Sequence, residues 1–154
     1  MNNKRKGLYG MRIRLAGIVP IEDGFAFMHR VGVQNHPIGE YYTFPGGGQE
    51  GEETLEEGTI REIKEELGIE VEIVKKLYEM EDREKNKKEY FFLCKYIKGT
   101  FGTGEGPEFS GNPQYEHRGK YIPEIIKRED IEKILLLPPQ IRDKFVEDVK
   151  KGSF

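Results

Sequence analysis

The sequence has a single cysteine and no long hydrophobic run. One cysteine excludes an internal disulfide, and the position of Cys94 in the apolar run FFLCKY predicts a small buried thiol. No segment approaches the roughly 20 apolar residues of a membrane-spanning helix. The basic N-terminus also lacks the apolar stretch of a secretory signal. These absences predict a cytoplasmic protein without a membrane partner.

Positive charge is not in excess either. The formal net charge is -3, which excludes the global basic field that draws many proteins to nucleic acid. The 154 residues are 36% hydrophobic, 11% aromatic and 34% charged. This length and composition predict one globular domain over residues 1–154. Partners must therefore be inferred from local sites.

Several segments are rich in β-branched and aromatic residues and predict strands. The first contains Asp23-Gly24, which predicts an antiparallel turn between two strands. The strand-like segments are RIRLAGIVPIEDGFAFMHR, YYTFP, VEIVKKLYEME, EYFFLCKYIKGTF and residues 120–122. The third and fourth flank the charged loop DREKNKK and predict a hairpin. Residues 102–118 predict a long irregular connection, and such loops are usually functional or disordered.

Helix signals occur twice. Thr54 and Glu57 form a capping box, and Gly68 is typical of a C-terminal cap, so a helix is predicted between them. Near the end of the chain, Asp130 predicts the cap of a short helix, and Pro138-Pro139 precede an amphipathic one. The sequence therefore predicts a mixed α/β domain with a long central helix and a C-terminal helix.

Glutamates crowd one face of the central helix. Glu62, Glu65 and Glu66 stand at i, i+3 and i+4, so their carboxylates share a face. Each exposed like-charge pair costs about 0.2–0.5 kcal/mol. One interpretation is a solvated face that Arg61 and Lys64 partly neutralise. The other is a site for a hard divalent cation such as Mg²⁺, which prefers oxygen ligands.

The spacing of these residues resembles the signature of the Nudix hydrolases. Five residues separate Gly47 from Glu53, and seven more precede the run REIKEELGI, from Arg61 to Ile69. Every fixed position of the signature is matched. The resemblance implies an α/β/α sandwich with a mixed β-sheet. It also implies Mg²⁺-dependent or Mn²⁺-dependent hydrolysis of a phosphoanhydride bond in a nucleoside diphosphate derivative, a small-molecule nucleotide.

The same resemblance implies roles for individual residues. Glu65 and Glu66 are expected to be the principal metal ligands, and the carbonyl of Gly46 a further one. Glu62 is expected to be either a ligand or the base that deprotonates the attacking water. Arg61 is expected to orient a carboxylate of the motif, such as Glu53, by charge-assisted hydrogen bonds.

Candidates outside the motif are less constrained. The family often recruits another acidic residue as ligand or base, and Glu105, Glu108 and Glu116 are the alternatives in the long loop. Glu116 is favoured because other polar and aromatic residues adjoin it. The remaining substrate-binding candidates are Arg30, Tyr115 and His117. Tyr41, Tyr42 and Phe44 are expected either to stack on a base or to enter the core, with at least one in the core.

Three functions follow from these observations. The intact motif favours a Nudix pyrophosphohydrolase. A non-catalytic nucleotide-sensing module on the same fold is the main alternative, and an interaction protein with a solvated acidic helix is the third. Substrate candidates are nucleoside triphosphates, ADP-ribose and other nucleotide sugars, and dinucleoside polyphosphates, with the compact length slightly favouring triphosphates. The sequence does not decide between a monomer and a homodimer.

Overall fold

The computed structural model describes residues 10–106 and 113–154. In chain order its strands and longer helices are β1 (Arg12–Ile18), β2 (Pro20–Ile21), β3 (Gly24–Val31), β4 (Glu40–Thr43), β5 (Gly46–Gly48), α1 (Leu55–Leu67), β6 (Ile69–Asp82), β7 (Lys87–Gly99), β8 (Lys120–Lys127), β9 (Leu136–Leu137) and α2 (Pro139–Lys150). Two 3₁₀ helices span Pro113–Arg118 and Arg128–Lys133. In these described ranges, neither longer helix is long and apolar enough to cross a bilayer.

The strands form two sheets. One has the order β5-β1-β7-β6, and the other has the order β2-β3-β4-β9 with β8 added beside β3. Both sheets are mixed, because β1 runs parallel to β7 and β4 runs parallel to β9, whereas the other pairs are antiparallel. The predicted hairpin between β6 and β7 is confirmed.

Side chains alternate along the strands between two hydrophobic clusters, one formed with α1 and one with α2. Strand β7 of the first sheet and β3 of the second contribute to both. Clustered with α1 are Val19, Ala26, Met28, Phe92 and Cys94. Clustered with α2 are Ala16, Ile18, Phe25, Phe27, Phe91 and Leu93. The strands therefore lie between the two helices, and the predicted α/β/α sandwich is confirmed.

Helix α1 begins and ends where its local sequence predicts. The Thr54 hydroxyl accepts a hydrogen bond from the Glu57 amide at 3.0 Å, and the Glu57 carboxylate accepts one from the Thr54 amide at 2.8 Å. Gly68 ends the helix with a φ of 76°, in the left-handed region. The buried face of α1 includes Ile63 and Leu67, both fully inaccessible to solvent.

Helix α2 begins at Pro139, whose fixed φ suits the first turn. Its buried residues, Ile141 and Phe145, enter an aromatic cluster. The Phe145 ring lies edge-on to Phe25 and Phe44, with ring centroids 5.0 and 5.2 Å apart. The predicted amphipathic C-terminal helix is therefore present.

Three local predictions are wrong. Strand β8 extends to Lys127 rather than ending at Ile122, because its pairing with β3 continues past Pro123 at an edge of the sheet, where proline is tolerated. Asp130 lies inside a 3₁₀ helix and accepts a hydrogen bond from Lys133 at 2.8 Å instead of capping a helix. The end of the connection predicted as irregular forms the 3₁₀ helix Pro113–Arg118.

The first predicted hairpin is correct only at its turn. Strands β2 and β3 pair across the turn, where Glu22 adopts a φ of 52°. The longer run before them divides at Val19, because β1 pairs with β5 and β7 in the other sheet. This division places β1 against α1, where a Cβ on Gly17 would lie 2.8 Å from Ile63 Cδ1.

Candidate active site

The glycine strand β5 lies against the acidic face of α1. The Gly46 amide donates a hydrogen bond to Glu66 Oε1 at 2.5 Å. A Cβ on Gly46 would lie 2.0 Å from the Leu15 carbonyl oxygen, and one on Gly47 would lie 2.4 Å from Glu62 Oε2. Only glycine allows this approach, so β5 and the carboxylates of α1 form one site.

Arg61 binds several carboxylates of this site. Its Nε and Nη2 donate to the two Glu53 oxygens at 2.9 and 2.8 Å, a bidentate arrangement. Its Nη1 donates to Glu62 at 2.9 Å and to Glu65 at 3.2 Å, and Nη2 also donates to the Gly48 carbonyl at 3.0 Å. Burial lowers the pKa of Arg61, but the hydrogen bond to Glu53 and the charge of Glu62 outweigh it and raise the pKa above its usual value.

Two of the three clustered carboxylates of α1 are withdrawn from solvent. Glu62 and Glu66 are only 4% and 3% exposed. Burial, followed by the charge of Glu62, raises the pKa of Glu65, and the opposing charge of Arg61 does not cancel this. The site therefore holds more negative charge than Arg61 neutralises, which is the condition that a bound cation relieves.

Gly58 accounts for the closeness of α1 and β1. A Cβ at this position would lie 2.4 Å from Leu15 Cδ1 and 2.8 Å from Glu53 Oε1. A mid-helix glycine costs about 1 kcal/mol relative to alanine. Here it leaves room for the core leucine and for the carboxylate that Arg61 holds. Helix propensity alone gives no reason for this glycine.

The donor set fits a divalent metal ion. Glu62, Glu65 and Glu66 offer hard carboxylate oxygens beside Gly47, where a side chain would fill the space next to Glu62. Within residues 10–106 and 113–154, no three acidic, histidine or cysteine side chains converge on one point as ligands. Instead, Glu62 and Glu65 direct oxygens at Arg61 Nη1. The donors are therefore hard oxygen ligands of the kind that divalent cations prefer, and Arg61 engages two of them.

The loop after β7 packs on the last turn of α1. The Gly102 amide donates to the Leu67 carbonyl at 2.9 Å, and the Gly106 amide donates to the Glu65 carbonyl at 3.0 Å. A Cβ on Gly104 would lie 2.4 Å from the carbonyl oxygens of both Glu65 and Glu66. Sequence reasoning missed this contact. The alternating glycines of GTGEG were the only signal for it.

The structure places the acidic candidates of this loop differently. Glu105 is exposed and lies between Gly104 and Gly106, both of which pack on α1. Glu116 is exposed in the 3₁₀ helix Pro113–Arg118, and the described residues contain no hydrogen bond or salt bridge between its side chain and α1. Glu108 lies outside the described residues. Glu105 is therefore the candidate whose backbone neighbours pack directly on the site.

Of the substrate-binding candidates, Arg30 lies on β3, and Tyr115 and His117 belong to the 3₁₀ helix that precedes β8. The Arg30 guanidinium lies over the Tyr121 ring and donates to the Arg118 carbonyl at 2.5 Å. The His117 side chain is exposed, and its carbonyl accepts from the Gln34 amide at 2.9 Å. The side chain of Tyr115 lies outside the described part of the chain.

The aromatic strand β4 divides between core and surface. Phe44, just after it, is 1% exposed, and Tyr41 is 7% exposed, which confirms that at least one enters the core. Tyr42 stacks on His29 with centroids 4.3 Å apart and donates to Glu124 at 3.0 Å. Burial and then this hydrogen bond raise the pKa of Tyr42 to about 12. Tyr42 is therefore a neutral hydrogen-bond donor at neutral pH.

An α/β/α sandwich with a glycine strand against an arginine-bound carboxylate helix defines a protein of the Nudix class. The profile of the NUDIX domain matches residues 11–118. The chain therefore belongs to the Nudix family of hydrolases, and the sequence-based assignment is confirmed.

Solved structures share this fold at low sequence identity. A NUDIX hydrolase from Nitrosomonas europaea is 18% identical, with a TM-score of 0.67 over 92% of this chain and 71% of that one. A MutT protein from Methanosarcina mazei Go1 is 19% identical, with a TM-score of 0.64 over 94% and 96%. An ADP-ribose pyrophosphatase from Streptococcus suis is 16% identical, with a TM-score of 0.55 over 82% and 79%. The comparison with curated proteins found no match.

Proposed function

We propose that this chain is a Mg²⁺-dependent pyrophosphohydrolase that cleaves a phosphoanhydride bond in a nucleoside diphosphate derivative. The observation that carries the proposal is the burial of Glu62 and Glu66 beside Gly46 and Gly47. Buried carboxylates are costly unless they are paired or bind a metal. One arginine is too little charge to pair with all of them.

Glu62, Glu65 and Glu66, with the Gly46 carbonyl, would hold the metal. When bound, a divalent ion neutralises charge on the phosphate oxygens and lowers the pKa of a bound water. Mg²⁺ suits the all-oxygen donor set, and Mn²⁺ accepts the same ligands.

The protein supplies orientation and proton transfer. Arg61 fixes Glu53, Glu62 and Glu65 by charge-assisted hydrogen bonds, which limits their rotation. Glu62 is the residue to accept the proton of the attacking water if it is not a ligand. Glu105 and Glu116 are the described alternatives for that base. The water oxygen forms the new P–O bond, and the bridging oxygen leaves with the other phosphoryl group.

The substrate class is a nucleotide with at least two linked phosphates. Proteins of this fold include MutT proteins, an ADP-ribose pyrophosphatase and a UDP-X diphosphatase. The names of the last two contain a nucleoside diphosphate unit. The glycine strand β5 allows close approach of such a charged group to the backbone. A cytoplasmic location stays a prediction from the sequence.

The test is release of nucleoside monophosphate from a panel of triphosphates, ADP-ribose, nucleotide sugars and dinucleoside polyphosphates, with and without Mg²⁺. Glu66→Gln is compared with Glu56→Gln, which removes the same charge from an exposed position on α1. We expect one substrate class to turn over in the wild type and in Glu56→Gln, but not in Glu66→Gln. Nucleotide binding without any turnover would contradict the proposal and favour the nucleotide-sensing alternative.

A further inference from the structure

Three neighbouring strands place an arginine between two tyrosines. Arg30 of β3 lies opposite Tyr41 of β4 and opposite Tyr121 of β8. Directly opposed residues share a face of an antiparallel sheet. The Arg30 guanidinium carbon lies 3.6 Å from the centroid of the Tyr121 ring and 6.0 Å from that of Tyr41. His36 extends this aromatic row, because it stacks on Tyr41 with centroids 4.5 Å apart.

The row lies on the same face of the sheet as α1. Ala26 and Met28, which precede Arg30 at two-residue intervals on β3, belong to the cluster that packs on α1, and Tyr121 packs against that cluster. Strand β4 also leads directly into the glycine strand β5. Four residues separate Tyr41 from Gly46, so their Cα atoms, five residue steps apart, are at most about 18 Å from each other. A nucleotide bound at β5 and α1 can therefore reach the row.

The described contacts of Arg30 are aromatic rings and a backbone carbonyl rather than a carboxylate. Its Nη2 donates to the Arg118 carbonyl, and its Nε is buried without a hydrogen-bond partner. No carboxylate of residues 10–106 or 113–154 forms a salt bridge with it, whereas Arg61 binds several. The buried Nε cannot reach a ligand, but the guanidinium has further N–H donors on its terminal nitrogens, and with no ion pair in these ranges they are the groups that an acceptor of a bound ligand would meet.

We propose that Arg30 binds the base of the nucleotide substrate and determines which base is accepted. The flat guanidinium donates to carbonyl and ring-nitrogen acceptors and stacks on planar rings, and Tyr41 and Tyr121 supply flat neighbouring surfaces. A phosphate would also bind an arginine, but it gains nothing from the aromatic row. The inference rests on the proposed function, since it assumes that the phosphates of the same ligand lie at α1.

The test measures base discrimination by binding, so that it does not depend on turnover. The affinities of AMP, GMP, CMP and UMP are determined by calorimetry for the wild type, Arg30→Met and Arg30→Lys. Arg83→Met is the matched control, because Arg83 is exposed in the turn between β6 and β7. Circular dichroism melting shows whether each variant folds.

We expect the wild type to prefer one base, and Arg30→Met to lose on the order of tenfold in affinity for that nucleotide, which corresponds to one good base contact. In Arg30→Met, the ratio of the affinity for the best nucleotide to the affinity for the worst falls toward one. Arg30→Lys does not restore it, because an ammonium lacks the planar fork. Arg83→Met keeps the wild-type ratio.

Three results would overturn the inference. Equal loss of affinity for all four nucleotides would assign Arg30 to the phosphate, and an unchanged ratio, or a wild type without base preference, would remove its role in selection. Failure of the proposed function has a different signature. In that case the nucleotides bind with a base preference that depends on Arg30, yet no substrate of the panel is hydrolysed.

Discussion

The two helices that enclose the strands bury opposite kinds of side chain. Helix α1 buries two glutamates, Glu62 and Glu66, beside its apolar residues, whereas α2 buries only Ile141 and Phe145. Burying like charges opposes folding, and burying aromatic rings favours it. The difference indicates that α1 is arranged for chemistry at the expense of stability and that α2 supplies stability.

The two faces are joined by the strands between them. Phe27 and Phe44 contact the aromatic cluster of α2, and the chain continues from Phe44 to the glycine strand that faces α1. The aromatic cluster therefore supports the strands from the face opposite to Glu62 and Glu66. If this division is correct, substitutions on the two faces affect different measurements.

The largest effect is expected from Phe145→Ala, which opens a cavity in the aromatic cluster of α2. The side chain is completely buried, and such truncations cost about 3–5 kcal/mol. We expect that loss in the free energy of unfolding from urea denaturation, with kcat per folded molecule unchanged. Ile97→Ala, at a position 43% exposed, is the control and should change stability by less than about 0.5 kcal/mol. A large loss of kcat in folded Phe145→Ala would contradict the division.

Arg61→Met is the corresponding change on the α1 face. It removes the donors that orient Glu53, Glu62 and Glu65, and we expect kcat to fall about hundredfold, or about 2.7 kcal/mol. Arg61→Lys should recover little of this, because lysine cannot form the bidentate contact with Glu53. Steady-state kinetics at saturating Mg²⁺ gives both values. A variant with wild-type kcat would show that the arginine is only a structural salt bridge.

Gly104→Ala tests whether the loop after β7 positions the carboxylates. The added Cβ would lie 2.4 Å from the carbonyl oxygens of Glu65 and Glu66, so the loop or the last turn of α1 must shift. We expect kcat to fall on the order of tenfold, since small displacements of catalytic groups are costly. Gly39→Ala is the control, because a Cβ there meets no atom within 4 Å. Equal kcat in the two variants would remove the loop from the site.

The smallest effect concerns Cys94, which packs in the α1 cluster. Burial raises the pKa of its thiol to about 12, whereas an unfolded thiol ionises near 8.5. The folded state therefore favours the neutral thiol. Below about pH 8 the thiol is neutral in both states, so its ionisation does not affect the free energy of unfolding. As pH rises from about 8.5 toward 12, only the unfolded state releases the proton, and the free energy of unfolding falls. Iodoacetamide at pH 8 should label the native protein far more slowly than the urea-unfolded protein. Equal rates would show that the thiol is accessible.

Features set by short sequence segments could be predicted. Thr54 and Glu57 satisfy each other's amides within one turn, and Gly68 adopts its cap conformation locally, so the bounds of α1 follow from the sequence. The motif spacing places the glutamates on one face for the same reason. The C-terminal helix after Pro138 is also a local signal.

Features that depend on partners distant in the chain could not be predicted from the sequence. Pro123 predicts the end of a strand, but β8 continues past it because its residues pair with β3. Gly58 and Gly104 have no local explanation. A side chain at Gly58 would clash with Leu15, and one at Gly104 would clash with carbonyl oxygens of α1. The arginine-tyrosine row around Arg30 likewise requires three strands to be adjacent.

The central claim is that the buried charge of α1 is a cation site. The most direct measurement is the melting temperature as Mg²⁺ is titrated, in the wild type, Glu66→Gln and Glu56→Gln. A ligand that binds the native state raises apparent stability. We predict that Mg²⁺ raises the Tm of the wild type and of Glu56→Gln, and raises that of Glu66→Gln much less. An equal rise in all three, or no rise in the wild type, would contradict the account.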